Sequence, residues 1–451
     1  GMGSLRGGGK INDDITYRMY GTGFKMGSVV DTNGVSVKDQ WSMAQGGFRS
    51  DWNASEKDKV SLQANIYHGR PNPDSDTNAV TANGDNVVAR WNHKISDKAD
   101  FQLQAYYDHT WRDFANKFTE NLKTYDIEWQ NRYQIAQRHT VTYGMGARMM
   151  DHIVTDLPLF GFFPANKTLY LYNGFLQYEI MLIKDRLRFT LGSKLEHNSY
   201  TGFQYQPNGR LTWTPTKRQT IWTAVSRAVR NPARIDREFS VSLLPNFPLI
   251  MGDSNFLSET VIAYELGWRF QPAKRLSTSI STFYNIYDNI RSAEPGSASS
   301  LGYPITFGNG VKGTTYGAEL SVTAQIASWW NLRGGYTFLK KELVVKSDSK
   351  DLNKATAESN DPQNQFLLQS NIKLPYNFQF GTVFRYVDQL PKPIVPSYMG
   401  LDLRLSCKLG KAIELSVVGQ NLLYNRHAEF IASTPPRQIE RSVYGKITCR
   451  F

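Results

Sequence analysis

The sequence has no long hydrophobic run. Nowhere in its 451 residues does a stretch approach the roughly 18 uncharged apolar residues of a membrane-spanning helix. This absence excludes a helical membrane protein. It does not exclude a membrane protein made of strands, because strands that alternate between apolar and polar residues average out as polar, in line with the mean hydropathy of −0.45.

Cysteine is nearly absent as well. The strand pattern places the two cysteines, Cys407 and Cys449, on strands separated by a third and on the apolar side, so no disulfide is expected. Such a low cysteine content is compatible with an oxidising compartment. The N-terminal segment Gly1–Lys10 is rich in glycine and lacks the apolar core of a signal peptide.

Patterns typical of catalysis and metal binding are also missing. The seven histidines are scattered, no Cys and His cluster has metal-ligand spacing, and no Gly-x-Ser-x-Gly or phosphate-binding glycine loop occurs. Carboxylates such as Asp402 and Glu414 fit salt bridges in a polar interior better than acid-base catalysis. We therefore expect no enzyme, no cofactor and no metal site.

Alternation of apolar and polar residues runs through the whole chain. Val60–Tyr67, Phe101–Tyr106 and Leu401–Lys408 alternate strictly, which is typical of strands with two different faces. The runs are roughly 12–16 residues long, against about 5–6 in a globular strand. A tilted strand needs about 9–11 residues to span a bilayer. The pattern predicts an all-β fold, a large antiparallel transmembrane β-barrel of about twenty strands.

The connections between these runs alternate in length, as in an outer-membrane barrel with short periplasmic turns and long extracellular loops. A soluble β-sandwich or propeller has no reason to separate its connections in this way. The predicted short turns are Ala54–Asp58, Ser96–Ala99, Ala136–His139, Lys184–Asp185, Pro215–Gln219, Pro272–Arg275, Ala327–Trp329, Pro375–Asn377 and Gly410–Lys411. The predicted long loops are Met26–Lys38, Gly69–Gly84, Ile153–Lys167, Asn231–Ser258, Ser292–Lys312, Lys346–Asp361 and Arg426–Ile439.

Aromatic residues and positive charge point to a membrane environment. Tryptophans near the predicted short turns fit an interfacial aromatic girdle. They are Trp52, Trp91, Trp213, Trp222, Trp268, Trp329 and Trp330. The net charge of +12 favours anionic partners, either lipopolysaccharide phosphates or a specific ligand. No nucleic acid partner is expected.

The last predicted strand, Ile439–Phe451, ends the sequence on an aromatic residue. Such a strand resembles the signal that the barrel-assembly machinery recognises, with Phe451 as its terminal residue. Charged residues on the polar faces of this and neighbouring strands predict a hydrated interior, because isolated charges in an apolar interior are too costly. The predicted interior set is Asp402, Arg404, Glu414, Lys446 and Arg450.

Six stretches in the second half resemble, in order, motifs of TonB-dependent receptors. They are Ser226–Pro232, Gly252–Glu259 (without the family's two prolines), Tyr264–Gly267, Phe283–Ile290, Tyr316–Leu320 and Val418–Leu423. The residues that carry the motifs are Ser226, Arg227, Arg230, Pro232, Glu259, Glu265, Glu319 and Asn421. The first half matches the family by its barrel pattern more than by motifs.

The resemblance implies a 22-stranded barrel, preceded in such receptors by a signal peptide, a TonB box and a plug domain. Gly3–Lys10 then corresponds to the end of the second strand, before a turn at Ile11–Asp14. On this interpretation residues 1–451 are one barrel domain without the plug, the first strand and most of the second. The implied setting is the outer membrane of a Gram-negative bacterium, with outer-membrane lipid around the barrel.

The resemblance also implies uptake of a scarce nutrient, commonly a ferric siderophore, driven by the TonB–ExbB–ExbD complex through the plug. Aromatic and cationic residues on the long loops and upper lumen would hold an anionic metal chelate. The candidates are Trp111, Arg112, Phe160, Phe162, Phe163, Arg230, Arg234, Arg237, Tyr303 and Arg437. Among them, Phe160–Pro164 predicts an exposed apolar patch.

Two other classes of function stay open. A large porin-like barrel that never had a plug would allow passive diffusion. A soluble β-rich binding protein would show alternating strands too. The loop residues do not identify the ligand, and siderophore, cobalamin, sugar and metal chelate are all compatible with them.

Overall fold

The computed structural model describes residues 1–71, 80–114, 118–155, 159–244, 247–296, 304–357, 360–430 and 437–451. About three quarters of these residues lie in strands. A single turn of helix is found among them, and it is far too short to cross a membrane.

The first half of the chain is a run of strands joined mostly as hairpins. They are β1 (Met2–Lys10), β2 (Ile15–Met26), β3 (Trp41–Asn53), β4 (Asp58–Pro71), β5 (Val80–Ser96), β6 (Ala99–Phe114), β7 (Phe118–Ala136), β8 (His139–Thr155), β9 (Phe160–Phe162), β10 (Asn166–Ile183), β11 (Leu187–Asn198), β12 (Gly202–Thr216) and β13 (Gln219–Arg230).

The second half begins with the helical turn and continues as strands. The elements are α1 (Arg234–Arg237), β14 (Phe239–Leu244), β15 (Phe247–Met251), β16 (Glu259–Ala273), β17 (Leu276–Pro295), β18 (Ile305–Ala327), β19 (Trp330–Val345), β20 (Asn364–Lys373), β21 (Phe378–Val387), β22 (Leu390–Pro391), β23 (Ile394–Val395), β24 (Tyr398–Leu409), β25 (Ile413–Gln420), β26 (Arg426–His427), β27 (Ile439–Glu440) and β28 (Ser442–Cys449).

One sheet contains 24 of these strands. Three of them, β9, β14 and β15, are short and belong to loops, and the other 21 form the barrel wall in chain order. Each wall strand pairs antiparallel with the next, from β1 with β2 to β25 with β28. The predicted antiparallel barrel is therefore confirmed, including the placement of Gly3–Lys10 in a strand before the turn at Ile11–Asp14.

The two faces of the wall differ as the alternation predicts. Leu62 and Ile66 on β4 are 41 % and 64 % exposed, while the polar residues Gln63 and Asn65 between them face the other way. Exposed aliphatic side chains in rows along neighbouring strands are unfavourable in water and suit a lipid-facing surface. The polar face is the lumen wall.

The connections alternate as predicted. Turns of two to four residues join the strands at one end of the wall, and at the other end lie the long segments, such as 231–258 between β13 and β16. The three-residue links between β6 and β7 and between β11 and β12 are exceptions at the long-loop end. We refer to the two ends as the short-turn end and the long-loop end.

Three local predictions were wrong. Wall strands are between 8 residues, as in β25, and 23 residues, as in β18, because β18 extends further at the long-loop end whereas β25 ends early at a loop. The final strand is divided into β27 and β28 at Arg441. Trp222 does not join the aromatic girdle, because it lies on the lumen face, where its ring packs across Gly267 and under Arg210.

The two cysteines lie as expected. Cys407 on β24 pairs in register with Leu415, and Cys449 on β28 pairs with Ile413, so that β25 stands between them. Both are free thiols.

Candidate functional site

The segment 231–258 folds over the long-loop end of the wall around one buried carboxylate. Asp236, in α1, is completely buried. Its Oδ2 accepts hydrogen bonds from the Ala233 amide at 2.9 Å and from the Arg230 guanidinium at 3.1 Å, and Arg291 of β17 approaches its Oδ1 at 3.5 Å. A buried charge of this kind requires such partners. Asp236 therefore ties the loop to two wall strands.

Glu259 completes this arrangement from the start of β16. Its carboxylate accepts a hydrogen bond from Arg230 at 2.6 Å and one from the Arg291 backbone amide at 3.0 Å. We call Arg230, Asp236, Glu259 and Arg291 the loop clamp. The side chain of Arg230 is still 46 % exposed, so part of the guanidinium is open to solvent while the rest is fixed.

A second anchor of the same segment is Arg234, which is 5 % exposed. It donates to Glu238 at 2.7 Å, to His152 Nδ1 at 3.0 Å and to the Ala165 carbonyl at 3.1 Å, and also to the Pro164 carbonyl. Because its guanidinium donates hydrogen bonds on several sides, Arg234 holds the loop to β8 and to the segment before β10. It is not available to a ligand in this arrangement.

His152 extends this network toward β6. Its Nε2 lies 2.9 Å from a Glu120 oxygen, and the other oxygen of Glu120 lies 3.4 Å from the Arg112 guanidinium. By register, Arg112 and Glu120 face each other on the lumen side. The Arg112 side chain is 49 % exposed, so it is a half-open cation, like Arg230.

The predicted exposed phenylalanine patch is mostly wrong. The Phe160 ring stacks on Phe118 at 5.0 Å, and both Phe160 and Phe162 contact Phe239 of β14, at 5.3 and 5.5 Å. Only Phe163, at 64 % exposure, remains open. Because β9 pairs with β14, the rings of Phe160 and Phe162 pack between two loops and are not exposed as a patch.

Tyr200, in the link between β11 and β12, lies between two cations. The Lys167 ammonium is 4.8 Å and the Arg237 guanidinium 5.1 Å from its ring centre, and Arg237 also donates to the Tyr200 carbonyl at 2.6 Å. Burial raises the pKa of the Tyr200 phenol above its ordinary value, and the Glu238 carboxylate adds to the effect. The phenol therefore stays neutral at physiological pH.

The remaining ligand candidates lie apart from this cluster. Trp111 shares the outer face with Tyr107, four residues away on the same strand, whereas its neighbour Arg112 faces the lumen, so these two do not form one site. Arg437 donates to Asp39, just before β3, at 3.0 Å. Tyr303 lies outside the described residues.

Most of the motif residues have structural contacts. On β13, Ser226 pairs with Ala263 and faces the lumen, and Arg227 lies over the outer-face Tyr205 ring at 4.3 Å. Pro232 is buried at the start of the loop, and Glu265 and Glu319 are on the lumen face of β16 and β18. No ligand contact of any motif residue follows from these positions.

Asn421 ends β25 in a left-handed backbone conformation, with φ of +55°. Its backbone N–H donates to Asp402 Oδ1 at 2.9 Å. The Arg385 guanidinium donates to the Asp402 carboxylate at 2.7 Å and to the side-chain oxygen of Asn421. Lower in the lumen, Arg404 and Arg450 both bond Glu414. Of the predicted interior set, Asp402, Arg404, Glu414 and Arg450 thus lie in ion pairs, and Lys446 forms none with the described residues.

Sequence reasoning missed Asp236, Glu238, His152, Arg291 and Tyr200. The one available signal was the sequence Arg234-Ile235-Asp236-Arg237, where a carboxylate stands among arginines inside a long loop. The others come from separate strands, and nothing local marks them.

A family model for the β-barrel of TonB-dependent receptor-like proteins matches residues 4–422. The chain belongs to this family. Its fold and family are those of receptors and transporters, and its relatives are outer-membrane proteins of Gram-negative bacteria. In outer-membrane barrels the end with long loops is extracellular and the end with short turns is periplasmic, and we name the two ends of this wall accordingly.

Solved structures of receptors share the fold at low sequence identity. The siderophore receptor PirA from Acinetobacter baumannii has a TM-score of 0.81 at 14 % identity, over 100 % of this chain and 77 % of that one. A variant of the ferric enterobactin receptor PfeA from Pseudomonas aeruginosa, in complex with enterobactin, has a TM-score of 0.79 at 14 % identity, and the match covers 99 % of this chain and 78 % of that one. The copper transporter OprC has a TM-score of 0.76 at 13 % identity, and the match covers 100 % of this chain and 80 % of that one.

Proposed function

We propose that this barrel belongs to an energy-coupled receptor that imports a scarce nutrient as an anionic metal chelate, in the first place a ferric siderophore. Family membership supports active, TonB-linked uptake over a passive channel. Of the three structural relatives named above, one is described as a siderophore receptor, one as a ferric enterobactin receptor and one as a copper transporter.

The observation that carries the proposal is a set of guanidiniums fixed at the extracellular end but not covered. Arg112, Arg230 and Arg437 each have a carboxylate partner, yet their side chains remain 34–49 % exposed. A guanidinium has five N–H donors, so the one carboxylate partner of Arg112 or the two of Arg230 leave other donors to bind an anion. Because the side chains are already ordered, anion binding costs less conformational entropy.

This arrangement favours a chelate over a small neutral nutrient. A large anionic complex can contact several separated arginines at once, and Phe163 offers an exposed ring at the same end. Energy coupling would come from the TonB–ExbB–ExbD complex. Lipopolysaccharide, the surrounding lipid and the assembly machinery acting on Phe451 remain proposed partners.

Equilibrium binding tests the proposal. The full-length protein in detergent micelles is titrated with ferric enterobactin as the probe, and quenching of tryptophan fluorescence is recorded. We expect saturable binding that R230Q weakens about tenfold or more, the effect of losing one charge-assisted hydrogen bond. R188Q is the matched control, because Arg188 pairs with Glu179 at 3.5 Å near the periplasmic end.

Absence of saturable binding by ferric enterobactin would remove this catecholate from the proposal. A panel of hydroxamate and carboxylate ferric chelates then tests the broader class. If none binds, or if R230Q and R188Q reduce binding equally, the assignment of an anionic chelate to the extracellular arginines is wrong.

A further inference from the structure

The barrel wall is split at its extracellular rim between β12 and β13. Their pairing ends at Asn208 with Ser226, one residue after Pro207, which has no amide hydrogen to donate. Beyond this point, residues 202–207 pair with β11, and Arg227–Arg230 pair with β16. A cavity of about 390 Å³ lies in the resulting cleft.

Two arginines from different elements line this cleft. Arg227 comes from β13 and donates to the Tyr205 carbonyl, and Arg237 comes from α1 and donates to the Tyr200 carbonyl. Each guanidinium also lies over the ring of the tyrosine whose carbonyl it bonds. The distance to the ring centre is 4.3 Å for Arg227 over Tyr205 and 5.1 Å for Arg237 over Tyr200. Carbonyls and rings orient a guanidinium, but they do not neutralise its charge.

Their surroundings differ from those of the other loop arginines. Among the described residues, neither Arg227 nor Arg237 forms an ion pair with a carboxylate, whereas Arg230 and Arg234 both do. The nearby carboxylate of Glu238 is already bonded to Arg234 and Lys167. The other polar lining residues carry hydroxyl or amide groups, among them Thr201, Ser258, Thr260 and Asn289. The cleft is therefore cationic and rich in hydrogen-bonding groups.

We propose that this cleft is a binding site for a phosphate group at the outer rim of the barrel. Two guanidiniums from different elements can bond separate oxygens of one phosphate, and hydroxyls can bond the rest. The cavity lies at the small end of the roughly 300–1,000 Å³ range of ligand sites, which suits a compact anion better than a large chelate. The proposal does not depend on which nutrient the receptor carries.

The outer face beside the cleft favours a lipid as the source of the phosphate. Phe203 is 81 %, Leu195 59 % and Tyr205 57 % exposed on that face, as befits side chains in contact with acyl chains. Register places all three on neighbouring strands. A lipid phosphate in the cleft would therefore have its chains on an apolar surface. Inorganic phosphate is the other source of the same chemistry.

Native mass spectrometry of the full-length protein in detergent tests the site. The lipid probes are dimyristoyl phosphatidic acid and dimyristoylglycerol, which has the same chains without the phosphate, and calorimetry measures inorganic phosphate. We expect selective retention of phosphatidic acid. The double variant R227Q/R237Q should reduce it about tenfold or more. R218Q is the matched control, since the side chain of Arg218 bonds only the Pro272 carbonyl among described residues, at the periplasmic end.

A second variant leaves both arginines in place. T260E would introduce a carboxylate into the cleft and should abolish phosphate binding by neutralising the guanidiniums from within. Inorganic phosphate binding without retention of the lipid would support the site and assign it to free phosphate. The proposal is overturned if neither phosphate probe binds, or if folded T260E and R227Q/R237Q bind phosphatidic acid as the wild type does.

Discussion

Arg230 and Asp236 form an ion pair, 3.1 Å between Nη1 and Oδ2, in which the carboxylate is fully buried and the guanidinium is about half exposed. The carboxylate thus acts as an internal anchor, while the cation keeps a face toward the extracellular solvent. This division of roles links the fold of the loop to the proposed binding of anions, and it makes the loop clamp testable.

The substitution D236N should loosen the segment 231–258 without unfolding the barrel. Removing the charge leaves Arg230 and Arg291 without their buried counter-ion, at a local cost of about 1–3 kcal/mol because both guanidiniums keep contact with solvent. Hydrogen exchange should rise in α1 and β14 and stay unchanged in the wall strands. D253N is the control, because Asp253 lies in the same loop and its side chain bonds only the Asn255 amide among described residues. Equal exchange in the two variants would refute the anchoring role.

Arg234 should be replaceable by neither alanine nor lysine. Its guanidinium reaches one carboxylate, one imidazole and two carbonyls at once, and a lysine ammonium cannot reproduce this planar fork. We expect R234K and R234A to expose the segment around Phe163 to protease, whereas R186K, in a periplasmic turn, should not. Protection of R234K at the wild-type level would show that charge alone is sufficient.

Gly267 should not tolerate a side chain. A Cβ at this position would meet the Trp222 ring, which packs across the glycine on the lumen face. G267A should destabilise the barrel by about 1–3 kcal/mol, the usual cost of overpacking, and shift the tryptophan emission. Gly334 has open space around its Cβ direction, so G334A serves as the control in urea unfolding from lipid vesicles. Identical unfolding midpoints would contradict the packing argument.

The left-handed backbone conformation of Asn421 and the hydrogen bond to its side chain should contribute separately to stability. Both N421A and N421G remove the acceptor of Arg385, but only alanine pays the steric cost of a positive φ. N421A should therefore be less stable than N421G by about 1 kcal/mol. The reverse order in unfolding experiments would show that the left-handed conformation is not the reason for asparagine here.

Local patterns were sufficient to predict the wall. Alternation at Val60–Tyr67 depends on neighbouring residues alone, and turns such as Lys184–Asp185 are marked by their own composition. The same alternation also shows that Trp111 and Arg112 lie on opposite faces of β6, so grouping them in one site could have been avoided from the sequence.

The loop layer could not be predicted in this way. Asp236 meets Arg291 from β17, and Arg234 meets His152 from β8, more than fifty residues away in either direction. Such contacts depend on how the loop folds over the rim. For the same reason Phe160 and Phe162, exposed by every local criterion, are covered by β14.

The most direct test of the central claim is uptake of ⁵⁵Fe presented as ferric chelates, including ferric enterobactin, by cells that express the full-length protein. Uptake is measured in matched strains with and without TonB. The account predicts accumulation that requires both the protein and TonB and that falls sharply in R230Q. Accumulation at the same rate without TonB would indicate a passive channel, and none above the protein-free strain for any chelate would contradict the proposed function.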